Sequence, residues 1–307
     1  GNKILKKIFS LIFFLLIFTH IQALEKKLLK DDEWEKKIGT LNWKNLNEKE
    51  HNAFIKKANA KVLILDNEIY LDNYKDINQF SWWAYGHGTE KTMVMQIRGT
   101  GYDVFLDYRD DGYVKLDDWK NVNSNNLLSE LREIAKANAI YLKEKNLDYV
   151  NKIDWIYKPT LNQENKSVSY SYKVDWNSGQ QSMESKNLIL GKKGYLESAF
   201  VVAYKKDIDL KYESDFSKDF VNGVIFNEGF KHSDYKPGDK IAAAGIGGLV
   251  AGSLGVKVLA KTGLLAKLLK FWWILLAPLA FFGKFLSGKE SSSNNSSASV
   301  KRRKRKK

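Results

Sequence analysis

The chain has 307 residues, a formal net charge of +14 and no cysteine, which excludes disulfides, thiolate nucleophiles and zinc–thiolate sites. The charge sits at the ends: Lys3, Lys6 and Lys7, the lysines between 240 and 290, and an unbroken basic run from 301 to 307. Residues 8–239 are therefore close to neutral, which argues against a nucleic-acid-binding body.

The apolar run 8–18 follows three lysines and gives way to a polar stretch ending at Ala23. That length suits a signal peptide over residues 1–23 and is short for a membrane span. Cleavage after Ala23 and retention as a signal anchor both export the body.

Residues 24–58 read as helix and loop, with Trp34, Leu41 and Trp43 as anchors. Residues 60–71 predict a strand, a turn at Asp66-Asn67 and the start of a second strand. The aromatic, glycine-rich stretch 80–89 predicts a loop. Strands follow at 92–98 and 102–108, and Asp111-Gly112 predicts a hairpin turn joining the latter to 113–116. Ser124 can cap a helix over 126–145 whose apolar face carries Leu127, Leu131, Ile134, Asn138 and Tyr141 or Leu142. Strands are expected at 152–157, 167–176, 186–190 and 195–204, with a turn between Gly191 and Gly194. A helix at 215–224 and a linker at 227–238 complete the exported domain, 24–238. The class is α+β, an antiparallel sheet with packed helices.

Residues 239–286 read as a membrane anchor. A helix over 241–260 would reach about 30 Å, a full hydrocarbon thickness, with Lys257 snorkelling. Ala244, Gly248 and Gly252 give small-x-x-x-small spacing, which fits close helix packing and equally an ordinary small-residue anchor. The second apolar segment, 271–286, contains Pro278, with Trp272 and Trp273 at interface-seeking positions. It lies in the interface or returns as a hairpin arm, and Lys257, Lys261, Lys267 and Lys270 belong at the membrane surface. A single crossing keeps the flexible basic tail, 287–307, in the cytoplasm against anionic lipid, with the body periplasmic at a bacterial cell membrane. Membrane lipids are the expected partners; a homo-oligomer and an unknown protein partner stay open, and nucleic acid is disfavoured.

Asp107, Asp110, Asp111, Asp117 and Asp118 cluster as calcium ligands would, but their spacing is not that of a calcium loop, and they read as turn and solvated acids. Of the body histidines, His51, His87 and His232, none lies in a zinc-protease motif, and only His87 sits in a ligand-like stretch. Trp82, Trp83, Trp119, Trp155 and Trp176 read as core residues, one or two of them lining a groove. No catalytic, cofactor or metal residue is assigned. Candidate binding residues are Trp82, Trp83, His87, Asp107 and Asp110. The pattern points to a non-enzymatic, membrane-anchored interaction or assembly domain. The alternative is an envelope hydrolase or a carbohydrate- or lipid-binding protein using 80–88 and 107–118.

Asp111-Gly112-Tyr113-Val114 with Asp117-Asp118, then Asn126-Leu127-Leu128, resembles the bacterial membrane-anchored proteins catalogued as domain of unknown function 2167. Trp155 with Pro159, Trp176, Leu190-Gly191 with Gly194, and Phe230 with Asp234-Tyr235 agree, as does Gly238-Asp239-Lys240-Ile241-Ala242-Ala243 continuing to Lys267. The resemblance covers about residues 39–285. It departs at Trp83-Ala84-Tyr85-Gly86, where the family usually has a Trp-Gly-Asn-Pro-like turn. It implies an exported, anchored domain and no particular chemistry. The element order is also similar to the photosystem II extrinsic-subunit-like (Mog1/PsbP-like) sandwich, a fold-level analogy.

Overall fold

The structure, a computed structural model, describes residues 36–255 apart from 45–51, 67, 86–88, 90, 98–101, 145, 147 and 206–208. Three short strands, β1 (Asn52–Ile55), β2 (Ala60–Leu63) and β10 (Val224–Phe226), form a small antiparallel sheet with β2 in the middle. The main sheet is antiparallel throughout. It contains β3 (Glu68–Leu71), β4 (Met93–Ile97), β5 (Tyr102–Arg109), β6 (Val150–Asn162), β7 (Ser167–Trp176), β8 (Gln181–Leu190) and β9 (Tyr195–Lys205). Their spatial order is β3-β4-β5-β9-β8-β7-β6. Among the described residues these helices accompany them: α1 (Tyr74–Tyr85), α2 (Ser124–Glu144), α3 (Leu210–Phe220) and α4 (Ile246–Ser253).

Strand alternation assigns each face of the main sheet its own layer. On one face Met93, Met95, Val104, Leu106, Leu196 and Phe200 meet the small sheet and α3. Phe200 stands edge-on to both Phe216 and Phe220, each at 5.3 Å. Asn187, fully buried on β8, ties α3 to this face by donating to the Ser217 carbonyl at 2.9 Å. On the other face α1 packs at the β3–β4 end, and α2 with α4 covers the β6–β8 end.

The helix starts follow capping chemistry. Asn73 accepts from the Asp76 backbone N–H at 2.9 Å and opens α1. For α2 the cap is Asn123, whose Oδ1 accepts from Asn125 and Asn126 at 3.0 and 3.1 Å, in place of the expected Ser124. Leu131, Ala135 and Ala139 are buried at i, i+4 and i+8, with Leu127 and Ile134 beside them. Arg132 reaches from α2 to the free side of β6, donating to the Ile153 carbonyl at 2.9 Å and pairing with Asp154 at 2.5 Å. That covers a sheet edge that would otherwise template strand addition.

Four further expectations are corrected. Residues 80–85 are helix: Ile77 and Phe80, one turn apart, are both buried, and their packing holds the segment on the sheet. Asp111-Gly112 makes no hairpin. Gly112 has φ +105°, and a Cβ there would lie 2.8 Å from the Lys240 carbonyl oxygen, so the glycine admits a distant segment. Tyr113 pairs in parallel with Ile241, donating to the Lys240 carbonyl at 2.8 Å and accepting from the Ala242 N–H at 2.9 Å.

Nor is 227–238 a free linker. Phe230 packs against the core, and His232 is buried with Nε2 2.8 Å from the Val114 carbonyl.

The fourth correction concerns the helix expected over 241–260. Within the described residues it is the eight-residue α4, and it lies on the sheet. Ile246, Val250, Ala251 and Leu254 are buried against the aromatic face of β7 and its neighbours. The Asp118 carboxylate accepts from the N–H groups of Gly247 and Gly248 at 3.0 and 3.3 Å, capping the helix from 129 residues away. At its end Gly255 adopts φ +70° and donates to the Gly252 carbonyl at 3.0 Å, a left-handed stop. No helix among the described residues is long and apolar enough to cross a membrane. Residues 256–260 and the segment 271–286 lie outside the described residues, as do 1–35.

Candidate functional site

The helical face of the sheet is not uniformly apolar. Alternation along β5, β7, β8 and β9 turns Asp107 and Arg109, Tyr170 and Tyr172, Glu184 and Lys186, and Tyr195 and Glu197 towards the helices. The register makes direct cross-strand partners of Asp107 and Glu197, of Tyr172 and Glu184, and of Tyr170 and Lys186. A charged band thus crosses four neighbouring strands.

Its contacts grade inward from the surface. Arg109 pairs with Asp107 at 2.8 Å, and Lys91 approaches the same carboxylate at 3.7 Å. Asp107 and Glu197 would repel as direct cross-strand neighbours. The cations around them offset that. Deeper in, the Lys186 ammonium lies 3.5 Å from Glu197 and 3.3 Å from Glu184. It also donates to the Ser253 carbonyl at 2.7 Å. Tyr172 donates to the second oxygen of Glu184, and the hydroxyls of Tyr170 and Ser253 meet at 2.5 Å. The Lys186 side chain is 2% exposed, against 41% for Arg109.

The electrostatics define what this band can do. Burial alone would lower the pKa of Lys186, but Glu197 and Glu184 outweigh it and hold the group well above the ordinary lysine value. Lys186 is therefore a permanent ammonium, the opposite of the depressed lysine that acts as a nucleophile. Burial likewise opposes ionisation of Glu197, yet Lys186, Lys91 and Arg109 keep its carboxyl below the usual range. Burial pushes the hydroxyls of Tyr170, Tyr172 and Tyr195 upward, so they stay protonated donors. Three cations offset three carboxylates, and the ammonium at the inner end grips a backbone carbonyl of the C-terminal segment. The chemistry is that of a lock.

The expected binding residues do not converge. Trp82 and Trp83 are half-buried on α1, and Trp83 joins the cluster around Phe80. His87 lies outside the described residues. Asp107 belongs to the band, while Asp110 is exposed and contributes its carbonyl to Lys240 at 2.8 Å. Asp118 caps α4, and Asp111 and Asp117 are exposed. Among the described residues no group of three or more histidines and carboxylates could hold a metal ion. Ala244 and Gly248 are brought together, the position of a Cβ on Gly248 being 3.1 Å from that of Ala244, whereas Gly252 is exposed with open space around it. Lys257, Lys261, Lys267, Lys270, Trp272 and Trp273 lie outside the described residues. Glu184, Lys186 and Glu197 were not singled out in the sequence. Their signal was charge at inward positions of β8 and β9, β8 being paired with β7, which alternates Val168, Tyr170, Tyr172, Val174 and Trp176.

Over residues 37–283 the sequence matches the family described as Protein of unknown function (DUF2167). The chain belongs to that family. The match takes in the whole sheet, the charged band and the C-terminal segment that covers it, so all three fall within the DUF2167 region. No curated protein matches the chain in sequence. A solved structure with a similar fold is the solution structure of cyanobacterial PsbP (CyanoP) from Synechocystis sp. PCC 6803. It covers 57% of this chain and 91% of its own at 7% identity, with a TM-score of 0.33.

Proposed function

We propose that this DUF2167 protein is a non-enzymatic interaction or assembly domain, exported and held close to a membrane by the residues after Gly255. The observation that carries the reading is the hydrogen bond from buried Lys186 to the Ser253 carbonyl. It makes the segment preceding the apolar stretch a built-in part of the body, so that an attachment made after Gly255 would start at the sheet. With 241–255 assigned to the core, the attachment falls to 256–286. Within it the uncharged run 271–283, with Trp272 and Trp273 at interface-seeking positions and Lys267 and Lys270 just before it, is the part a membrane would take up. The basic tail then faces anionic lipid on the cytoplasmic side.

The full chain should stay with membranes through an alkaline wash, and a chain ending at Gly255 should be released while keeping its fold. Release of both, or retention of both, overturns the attachment. Reporters fused near Gly229 and after Ser287 should report opposite sides of the membrane. Crosslinking in intact membranes identifies the partner; turnover of an envelope substrate by the purified protein would reverse the non-enzymatic reading.

A further inference from the structure

The segment 240–255 differs from every strand of the body in how it is held. Strands β5, β7, β8 and β9 are each hydrogen-bonded on both sides. By contrast, the segment is joined to the body's backbone through an isolated parallel bridge at Tyr113–Ile241 and the bond from the Ile246 N–H to the Lys115 carbonyl at 2.9 Å. The rest of its attachment is made by side chains: four buried apolar ones with Ala242 and Leu249 beside them, the Lys240 bond to the Asp110 carbonyl at 2.8 Å, the Asp118 cap, and the contacts of Ser253 with Lys186 and Tyr170. Three of the eight residues of α4 are glycine, so the helix has little stability apart from its docking.

What lies under it is also unusual. An apolar interface loses its whole burial term when it opens. Here opening returns water to Lys186, Glu184 and Glu197, and the recovered hydration offsets part of the lost contacts. Weak backbone attachment above a charged floor is the arrangement expected of a unit that opens before the rest of the domain.

We propose that residues 240–255 form a releasable strap that opens as one unit, uncovering the charged band while the two sheets remain folded. The inference stands on the packing of the strap and does not depend on membrane attachment. With attachment, the strap is the route by which pull on the membrane segment reaches the sheet interior.

The chain has no cysteine, so a single introduced thiol reports one site. Ala251→Cys places it under the strap and Ser198→Cys places it in the sheet, where both parent residues are buried. Iodoacetamide should modify the full chain at 251 at least about 100-fold faster than at 198. Asp118→Ala should speed modification at 251 by a further factor of about 10 and leave 198 unchanged. Amide exchange in the unsubstituted chain supplies a second reading. The Ala242 and Leu254 N–H groups should exchange together, well ahead of those in β8. Equal modification rates at 251 and 198 would overturn the proposal. So would fast modification at 251 with Ala242 exchanging as slowly as β8, because the substitution itself would then have loosened the helix.

Discussion

Lys186 on β8 and Ser253 on α4 are 67 residues apart in sequence and 2.7 Å apart in space, ammonium to carbonyl oxygen. That bond joins the middle of the sheet to the last turn of the segment that precedes the apolar C-terminal stretch. Its strength depends on a charged lysine, and the flanking Glu184 and Glu197 raise that lysine's pKa against the effect of burial.

Removing the ammonium should be costly. Lys186→Met leaves buried Glu184 and half-buried Glu197 without their central partner, and the expected loss is about 3–5 kcal/mol in urea unfolding. Adding Glu184→Gln and Glu197→Gln should restore much of it, since no uncompensated charge then remains. A loss below about 1 kcal/mol in the single variant would mean that water reaches the band.

Two groups contribute to the acid sensitivity in separate windows. His232 is buried between Val114 and Tyr113; burial, helped by nearby Lys166, pulls its pKa below 6.5 against the opposing effect of its hydrogen bond. The unfolded chain binds the proton more readily. Stability is therefore full above about pH 6.5 and falls as pH drops towards the lowered folded value. Glu197 is depressed from 4.5, so its contribution is present above about pH 4.5 and is lost as pH falls through its folded value. In denaturation series from pH 8 to 3, His232→Gln should flatten the upper part of the decline and Glu197→Gln the lower part.

Two truncations separate core from attachment. A chain ending at Gly255 should unfold as the full body does. One ending at Asp239 also loses Ile246, Val250 and Leu254, each worth roughly 1.5–3 kcal/mol when fully buried, and exposes the band. Calorimetry should show a large drop in Tm for the shorter chain alone. Equal Tm values would mean that the strap adds nothing to the fold.

Glycines in the same region should respond in opposite directions. At Gly112 the backbone is left-handed and Lys240 is too close for a side chain, so Gly112→Ala should destabilise by roughly 1–3 kcal/mol. Gly252 is helical, exposed and has open space, so Gly252→Ala should stabilise by up to about 1 kcal/mol. Urea midpoints of the two variants on opposite sides of the parent would bear this out.

Most strands of the main sheet and the long helix are local patterns, legible in the sequence; β1 and β10, in stretches read as helix or loop, and the single bridge at Tyr113 where a strand was expected, were not. Residues 167–176 alternate so regularly that their limits coincide with β7, and the period of Leu127, Leu131 and Ile134 placed α2. The turn at Gly191–Gly194 formed as expected, with the Gly191 N–H on the Gly194 carbonyl at 2.8 Å. The charged band was not legible, because Glu184 and Lys186 look like solvent-facing charges until the register sets them opposite Tyr172 and Tyr170 and α4 closes over them. The role of 241–255 was hidden for a related reason. Hydropathy measures how strongly a segment avoids water and says nothing about what replaces the water. A glycine- and alanine-rich apolar helix satisfies the same pattern against lipid as against a sheet. Only long-range contacts decided between them: the Asp118 cap, the Tyr113–Ile241 pairing and the left-handed stop at Gly255.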